Sequence, residues 1–471
     1  MSLNVMPVKI LFIDAKDLTR PIETIFAPLG LGYLVSSLRK KFGAEAVECR
    51  IVAGAPEDEL AGFRPDLVGI SAVSQNYGRA IAAAAAAKKF GIPVVCGGVH
   101  ISMLPNSLDE NMDLGVMGEG EETFCELFGL FQRTGGFQKE ELAGIKGIAF
   151  RAADGRLVLT EPRAPAAPLD KIPFPARDLL ETRADAHMFT SRGCPFRCVF
   201  CASSRFWSGV RLFSAEYMAA EIENLVTRYG VTGINFQDDL FTCDLERIRR
   251  VKELLLRRGV LGKVRFSGAI RAELVNDETI ALLKEFGVET LGLGLESGND
   301  RTLKYLKGPG ASVAHNENAV AIIKKYGISV FGSFIIGAPQ EERKEILDTL
   351  EFVKRNGVDS FGLYVLTPFP GTPVWEYAER RGLVSDDMDW SALNVDFEAN
   401  SASAIILSEK LTRKEIKALF LRFKHYTERR RFYYLLKKGL TEPWKIPGYL
   451  MNKAGIRLAA RRSRAEKNRH L

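Results

Sequence analysis

Three closely spaced cysteines are the residues of this sequence best suited to metal chemistry. Cys194, Cys198 and Cys201 stand in the stretch SRGCPFRCVFC at residues 191–201. Three thiolates in a short loop can bind three irons of a [4Fe-4S] cubane, whereas a structural zinc site normally needs four ligands. No second cysteine pair adjoins the loop. The spacing therefore favours an iron–sulfur cluster over zinc.

The elements that must position this loop are six alternating strand and helix patterns between residues 187 and 375. The strand-like runs are HMFTSR, VTGINFQ, VRFSGAI, ETLGLGL, ISVFGSFII and SFGLYVL. Eight such units close a barrel, so six predict a partial (β/α)6 barrel of the TIM type that is open on one side. The cysteine loop directly follows the first of these strands.

The first 140 residues predict a separate α/β domain. Five strand-like runs alternate there with helical segments: VKILFID, AVECRIV, DLVGIS, IPVVCGG and LGVMG. This alternation indicates a doubly wound parallel sheet of the flavodoxin or Rossmann type, which binds ligands at the carboxyl ends of its strands. Small residues at those ends would let the backbone approach a large ligand closely. They are Ser71, Ser74, Gly97, Gly98, Gly118 and Gly120.

The segment between the two α/β regions predicts a hairpin and a stiff linker. Residues 144–161 alternate as two short strands that turn at Asp154-Gly155. Prolines then recur up to residue 175 and disfavour regular structure. We therefore expect four parts: an N-terminal domain, a hairpin with a linker, a partial barrel and a basic helical C-terminal extension, at residues 1–140, 141–186, 187–375 and 376–471.

The cysteine motif and the barrel pattern together resemble the radical S-adenosylmethionine (SAM) superfamily over residues 187–375. The matching features are the C-x3-C-x2-C spacing, the aromatic Phe200 before the last cysteine, and the position after strand one. The resemblance implies that SAM binds the fourth iron, and that an electron from the cluster cleaves SAM to a 5′-deoxyadenosyl radical. It also implies a reductant, such as flavodoxin or ferredoxin, as a partner.

The same resemblance implies contacts to SAM at later strand ends. Gln237 and Asp238 follow the second strand, where the superfamily contacts the methionine amino group, although such polar residues also cap loops. Glu296 and Ser297 correspond to a segment that approaches SAM. Gly337 corresponds to a segment near the adenine, for which a buried strand with glycine gaps is the plainer explanation.

The N-terminal pattern resembles the cobalamin-binding domain of many radical SAM enzymes over most of residues 8–135. The resemblance implies that the small residues at the strand ends contact cobalamin; from the residues alone, another small ligand or none is equally compatible. Family members that coordinate cobalt from below carry histidine in an Asp-x-His-x-x-Gly loop after the first strand. This loop instead begins Asp14-Ala15-Lys16. We expect no histidine ligand there, and His100 to be a loop or pocket residue.

The composition is typical of a soluble globular protein. Hydrophobic residues make up 46% of the chain and charged residues 26%. No apolar run reaches the roughly 18 to 20 residues that span a bilayer. The seven cysteines, an odd number, suit reduced thiols better than a disulfide framework. These features predict a cytoplasmic protein, with the isolated cysteines, such as Cys243, packed as small hydrophobes.

The C-terminal tail carries most of the positive charge. Residues 410–471 contain 19 lysines and arginines against four glutamates, so the tail has a net charge of +15 and residues 1–409 have −8. Basic residues interleaved with aromatic and aliphatic ones suit an anionic membrane surface. Nucleic acid could be held by the same charge, but we expect it less than membrane contact, and a solvated helical cap is the plainer explanation.

The whole pattern resembles the branch of radical SAM enzymes with an N-terminal cobalamin-binding domain, and so implies a methyltransferase. In the implied mechanism the radical removes hydrogen from an unactivated carbon, and the substrate radical takes a methyl group from methylcobalamin, which a second SAM regenerates. A small hydrophobic substrate, such as a lipid, an isoprenoid or a tetrapyrrole, is expected. The alternatives are a radical cyclase or rearrangement enzyme of this branch, and a tRNA-modifying radical SAM enzyme.

Overall fold

The N-terminal part of the chain folds as a seven-stranded sheet flanked by helices. A computed structural model describes residues 6–20 and 23–441. The strands are β1 (Val8–Asp14), β2 (Val47–Ala53), β3 (Leu67–Ser71), β4 (Val94–Gly97), β5 (Leu114–Val116), β6 (Ile148–Arg151) and β7 (Leu157–Leu159). The helices are α1 (Leu29–Phe42), α2 (Glu57–Phe63), α3 (Tyr77–Lys89), α4 (Val99–Met103), α5 (Gly120–Thr134) and α6 (Lys139–Leu142).

The first five strands form the parallel, doubly wound sheet that the sequence predicts. Their spatial order is β2-β1-β3-β4-β5, and all four pairings are parallel. Helices cover both faces, so the strands are continuous apolar runs; residues 10–13 of β1 are fully buried. The register places Asp14 beside Ser71, and Ser71 beside Gly97. The carboxyl ends of β1, β3 and β4 therefore form one continuous edge.

The predicted hairpin extends this sheet. β6 pairs antiparallel with β5, and β7 pairs antiparallel with β6. The turn lies at Asp154-Gly155, where Gly155 has a φ of +81°. The sequence places residues 141–161 with the linker, whereas the structure places the hairpin in the N-terminal sheet, because β6 supplies the hydrogen bonds that the edge of β5 would otherwise lack.

The second part of the chain forms an open, six-stranded parallel sheet. Its strands lie in the order β8-β11-β12-β13-β14-β15, and a separate antiparallel pair, β9-β10, flanks the cysteine loop. The strands are β8 (Asp185–Met188), β9 (Ser191–Arg192), β10 (Arg211–Leu212), β11 (Gly233–Phe236), β12 (Arg265–Ile270), β13 (Val288–Glu296), β14 (Ser329–Ile336) and β15 (Ser360–Val365). This is the predicted half-barrel, and it confirms the α/β fold class.

The connecting helices start where polar side chains cap their first turns. Ser214, Asn276 and Ser312 each accept a hydrogen bond from a backbone N–H in the first turn of the helix that follows. The helices of this part are α7 (Ser203–Phe206), α8 (Ala215–Tyr229), α9 (Leu245–Arg257), α10 (Asp277–Phe286), α11 (Asp300–Lys307), α12 (Val313–Lys325), α13 (Arg343–Arg355), α14 (Pro373–Arg380) and α15 (Phe397–Asn400).

A second unit of the chain starts at Arg413, within the predicted C-terminal extension of residues 376–471. Its described part is the helix α16 (Arg413–Thr441), in agreement with the predicted helical extension. The second half of the basic, aromatic tail, residues 442–471, lies outside the described residues. Across the described chain, no helix is both long enough and apolar enough to cross a membrane.

Candidate active site

The cysteine loop is held at the carboxyl end of β8 by close backbone contacts. Gly193 has a φ of +92°, and a Cβ atom there would lie 2.1 Å from the carbonyl oxygen of Gly209, so only glycine fits. Further along, the N–H of Val199 donates to the carbonyl of Leu306 at 3.0 Å. These contacts hold the loop just before its first cysteine and just before its last one.

The three thiols form one partly exposed donor set. Cys194, Cys198 and Cys201 are unpaired and half-buried. Within the described chain, no three His, Cys, Asp or Glu side chains are arranged to hold a single metal ion. A cubane binds each thiolate at a different iron and needs no such convergence. The donor chemistry therefore fits a [4Fe-4S] cluster, which these three residues would hold.

A guanidinium group faces this donor set. Arg271 Nη1 donates to Cys198 Sγ at 3.3 Å, and the guanidinium carbon lies 3.7 Å from the centre of the Phe196 ring. Glu273 holds the other nitrogen of Arg271 at 2.7 Å. The guanidinium therefore lies in direct contact with one of the three sulfur atoms. Sequence reasoning missed Arg271; its place directly after β12, at the carboxyl end of a barrel strand, is the signal that could have found it.

Glu296 is a buried carboxylate with no hydrogen bond among the described residues. It ends β13 with a φ of +56°, in the left-handed region that a non-glycine residue rarely adopts. Burial raises its pKa to about 7, while Lys307 and Arg271 act in the opposite direction. The Lys307 ammonium donates to the Gly294 carbonyl at 2.7 Å and lies 3.7 Å from Glu273. A strained, unpartnered carboxylate beside two cations suits a ligand contact.

Ser297, the next residue, is used by the fold instead. It is fully buried, its Oγ lies 3.2 Å from the Thr349 hydroxyl, and it accepts a hydrogen bond from the N–H of Asn299. The two adjacent residues that the sequence predicts as SAM contacts thus differ in their hydrogen bonding. Glu296 retains a free carboxylate, whereas the Ser297 hydroxyl anchors the turn into α11.

Asp238 and Gln237, which the sequence also predicts as SAM contacts, likewise have different surroundings. Asp238 is buried, and it accepts hydrogen bonds from both the N–H (2.6 Å) and the hydroxyl of Thr190. Arg247 donates to the carbonyl of that threonine at 2.6 Å. Asp238 therefore holds the connection into the cysteine loop, and its contact with the methionine group of SAM stays a prediction. Gln237 is partly exposed and lines a cavity with Lys16.

Gly337 forms the turn after β14. It has a φ of +87°, and its N–H donates to Glu341 Oε2 at 2.6 Å. Burial raises the pKa of Glu341 to about 8, and its second oxygen has no partner. The glycine is thus required by the backbone, and an acidic side chain missed by the sequence reasoning braces the turn.

Five of the six predicted small residues line one cavity of the N-terminal sheet. The cavity has a volume of about 260 Å³, and its lining includes Ser71, Gly97, Gly98, Gly118 and Gly120. A Cβ atom at Gly98 would lie 2.6 Å from the Ala72 carbonyl oxygen. Apolar side chains such as Phe12 and Phe124 complete the walls. A mainly apolar cradle with glycine edges fits the cobalamin that the N-terminal resemblance implies.

Ser74 does not line this cavity, because it is bound to His100. The imidazole Nδ1 lies 3.1 Å from Ser74 Oγ, and Nε2 lies 3.0 Å from Ser107 Oγ. The ring stacks on Tyr77 with 3.8 Å between the ring centres, and burial lowers the pKa of His100 to about 3. His100 is therefore a neutral, packed side chain with both nitrogens occupied.

A second cavity, also of about 260 Å³, adjoins the first and lies between the two sheets. Gly30, Leu31, Ser71 and Phe189 line both cavities. Lys16 lies at its wall, 2.7 Å from the Asp14 carboxylate, and also donates to the Phe26 carbonyl. Lys16 thus takes the place of the histidine in the Asp-x-His loop, and its ammonium is already paired.

The isolated cysteines are packed. Cys49, Cys96 and Cys125 are buried, and Cys243 is half-buried with its thiol on the Leu240 carbonyl. Burial raises the pKa of each, to about 12 for the first two and about 11 for the others. All four are therefore protonated at neutral pH.

Comparison with known proteins gives two family matches. Residues 188–353 match the radical SAM superfamily, and residues 15–128 match the B12 binding domain. An uncharacterized methyltransferase of Pyrococcus horikoshii is 34% identical over 392 residues, which cover 79% of this chain and 82% of that protein. The anaerobic magnesium-protoporphyrin IX monomethyl ester cyclase of Rubrivivax gelatinosus is 26% identical and covers 68% of this chain and 59% of that protein.

A solved structure shares the fold. The radical SAM methyltransferase TsrM of Kitasatospora setae, with cobalamin and a [4Fe-4S] cluster bound, superposes with a TM-score of 0.64 at 20% identity. The match covers 80% of this chain and 79% of that one.

Proposed function

Since the chain belongs to the cobalamin-dependent radical SAM methyltransferases, enzymes that use a [4Fe-4S] cluster, SAM and cobalamin, we propose that it methylates an unactivated carbon of a small hydrophobic molecule. The observation that carries this proposal is the second cavity. Its walls come from the carboxyl ends of both sheets, with Lys16 and Ser71 on one side and Phe189 and Gln237 on the other. A substrate there would be accessible to both domains.

A different set of residues would hold each cofactor. Cys194, Cys198 and Cys201 would hold the cluster, Glu296 would accept a hydrogen bond from the cationic SAM, and the glycine-edged cavity would hold cobalamin. When bound, the cluster and SAM generate a 5′-deoxyadenosyl radical that removes a hydrogen atom from the substrate, and cobalamin supplies the methyl group. A low-potential reductant, flavodoxin or ferredoxin, supplies the electrons.

The hydrophobic character of the substrate is supported by the loops at the strand ends. Four large apolar side chains are exposed there: Leu18 (53%), Ile25 (59%), Phe26 (44%) and Val73 (41%). Phe26 also lines the second cavity. An exposed apolar side chain in the wall of a cavity suits an apolar ligand.

The experiment is an anaerobic reaction with SAM whose methyl group is deuterated. Cluster-reconstituted protein with cobalamin is incubated with a reductant and with isoprenoid, fatty-acyl and tetrapyrrole substrates. Methylation predicts a product that carries a CD3 group, with equal amounts of 5′-deoxyadenosine and S-adenosylhomocysteine. A Cys198→Ala variant serves as the control without the complete cluster.

A cyclase is the second candidate, because the relative from Rubrivivax gelatinosus has that name. Ring formation would give 5′-deoxyadenosine and a product that has lost hydrogen, with no S-adenosylhomocysteine. That result would replace methylation by cyclisation. Membrane contact of the tail stays a prediction, and flotation of the protein with anionic vesicles at low salt tests it.

A further inference from the structure

A buried network of ion pairs joins the cysteine loop to the cobalamin cavity. Arg192 Nη1 lies 3.2 Å from Glu119 Oε2, and Arg192 Nη2 pairs with Glu121 Oε1. The three side chains are only 6%, 11% and 13% exposed. Arg192 lies in β9, directly before the cysteine loop, and the two glutamates belong to the N-terminal domain. The network therefore connects the segment that carries the cysteines to the N-terminal domain.

The network connects the two motifs that carry the cofactors. Arg192 precedes Cys194 by two residues, and Glu119 and Glu121 alternate with Gly118 and Gly120 where the chain passes from β5 into α5. Arg192, Glu119 and Glu121 all line the first cavity. The side chain two residues before the first predicted cluster ligand is thus also part of the wall of the predicted cobalamin site.

Neighbouring groups fix the geometry of the network. Arg211 pairs with Glu119, and the Glu119 carboxylate also accepts the N–H of Ala166 at 2.9 Å. The Trp207 ring centre lies 5.4 Å from the Arg192 guanidinium and 5.9 Å from that of Arg211. A planar guanidinium that bridges two carboxylates has few alternative positions. Buried charges of this kind are favourable only when all partners are in place.

We propose that Arg192 is a positioning residue that couples assembly of the iron–sulfur cluster to binding of cobalamin. A cluster that orders the cysteine loop places Arg192, and Arg192 places the two glutamates that line the cobalamin cavity. Cobalamin then binds to a cavity that is already ordered. By thermodynamic reciprocity, bound cobalamin retains the cluster to the same degree. The coupling does not depend on which carbon the enzyme methylates.

The test compares the affinity of hydroxocobalamin for cluster-loaded and cluster-free protein, by anaerobic titration followed by absorbance. The cluster-free form is the full chain stripped with an iron chelator. We expect the cluster-loaded wild-type chain to bind hydroxocobalamin roughly 5- to 150-fold more tightly than the cluster-free chain does, which is the range typical of coupled sites. The Arg192→Gln variant is expected to reduce this ratio to about one, and Arg192→Lys to restore part of it, because lysine keeps the charge without bridging both glutamates.

Arg163→Gln is the matched control. Arg163 is 12% exposed and pairs with Glu122 and Glu126 of the same helix, α5, but it lies far in sequence from the cysteine loop. This variant should keep the wild-type ratio. A ratio of one in the wild type, or an unchanged ratio in Arg192→Gln, overturns the proposal.

A second readout covers the case in which Arg192→Gln does not fold. The rate at which a chelator removes iron is measured for the wild type and for Glu121→Gln, with and without hydroxocobalamin. Cobalamin should slow iron loss in the wild type and do so less in Glu121→Gln. Equal protection in both proteins contradicts the coupling. Neither measurement requires substrate, so a failure here is distinct from a failure of the methylation proposal.

Discussion

Replacement of Glu296 by glutamine should stabilise the cluster-free protein and weaken SAM binding. Burial raises the pKa of Glu296 from 4.5 to about 7, so the folded state favours the protonated form. Each pKa unit corresponds to about 1.4 kcal/mol, and ionised Glu296 therefore destabilises the folded protein by about 3 kcal/mol. This loss develops as the pH rises from about 4.5 to about 7, and it is constant above that range. Glutamine, which does not ionise, avoids it.

The same substitution should weaken the binding of SAM, although it stabilises the cluster-free fold. An ionised Glu296 can accept a charge-assisted hydrogen bond from the cationic ligand, which is worth roughly 1.5 to 3 kcal/mol. The Glu296→Gln variant should therefore bind SAM roughly 10- to 150-fold more weakly at pH 8. At pH 6 the difference should be smaller, because wild-type Glu296 is then mostly protonated. Any change in the protonation of free SAM affects the affinity measured for both proteins equally, so it does not alter the ratio of the two affinities.

Two assays check this prediction. Urea denaturation of the cluster-free proteins at pH 5 and pH 8 should show the variant gaining stability relative to the wild type at the higher pH. Calorimetric titration of the cluster-loaded proteins gives the SAM affinities. Glu289→Gln is the control, because Glu289 lies on the same strand and is exposed. The assignment of Glu296 as a SAM contact would be refuted if the free energies of unfolding of the two proteins changed in parallel with pH, or if Glu296→Gln bound SAM with unchanged affinity.

Three further predictions concern the cobalamin site and the fold. Gly98→Ala should lose cobalamin on gel filtration, since its Cβ would meet the Ala72 carbonyl at 2.6 Å, whereas Gly91→Ala, which also has a positive φ but has open space around it, should retain cobalamin. With 15N-labelled protein, the cob(II)alamin EPR spectrum of the wild type should show no coupling to 15N, and Lys16→His should introduce that coupling; a 15N coupling in the wild type would contradict the paired state of Lys16. Arg177→Met should lower the free energy of unfolding by about 3 to 5 kcal/mol, because it leaves Glu221 charged and fully buried. Arg183→Met, which breaks an exposed ion pair, should lower the free energy of unfolding by less than about 1 kcal/mol. Equal urea midpoints for Arg177→Met and Arg183→Met would show that the buried pair is not formed.

The sequence predicts the fold class and the cofactors because these depend on local patterns. Strand-like runs that alternate with helices determine the two parallel sheets, and the spacing of three cysteines determines the cluster type. The glycines at the strand ends are equally local, since a positive φ or a close backbone contact is required at Gly98 and Gly193 whatever the rest of the chain does. Five of the six small residues accordingly line one cavity.

The roles of single polar side chains could not be predicted, because their partners are distant in the sequence. Asp238 is bound to Thr190, Ser297 to Thr349, and Ser74 to His100. Each pair forms only when two strands or helices come together in the fold. The environment of Cys198 depends on Arg271, 73 residues away, for the same reason. A polar residue at a strand end can face a ligand or brace a loop, and only the tertiary partner distinguishes the two.

The most direct test of the two-cofactor account is the iron and corrinoid content of one protein preparation. The chain is purified anaerobically, its cluster is reconstituted, hydroxocobalamin is added in excess, and unbound cofactor is removed by gel filtration. We expect about four irons and one corrinoid per chain, with the iron content lost in Cys194→Ala, Cys198→Ala and Cys201→Ala. A full complement of iron with no retained corrinoid would contradict the assignment of the N-terminal cavity as a cobalamin site.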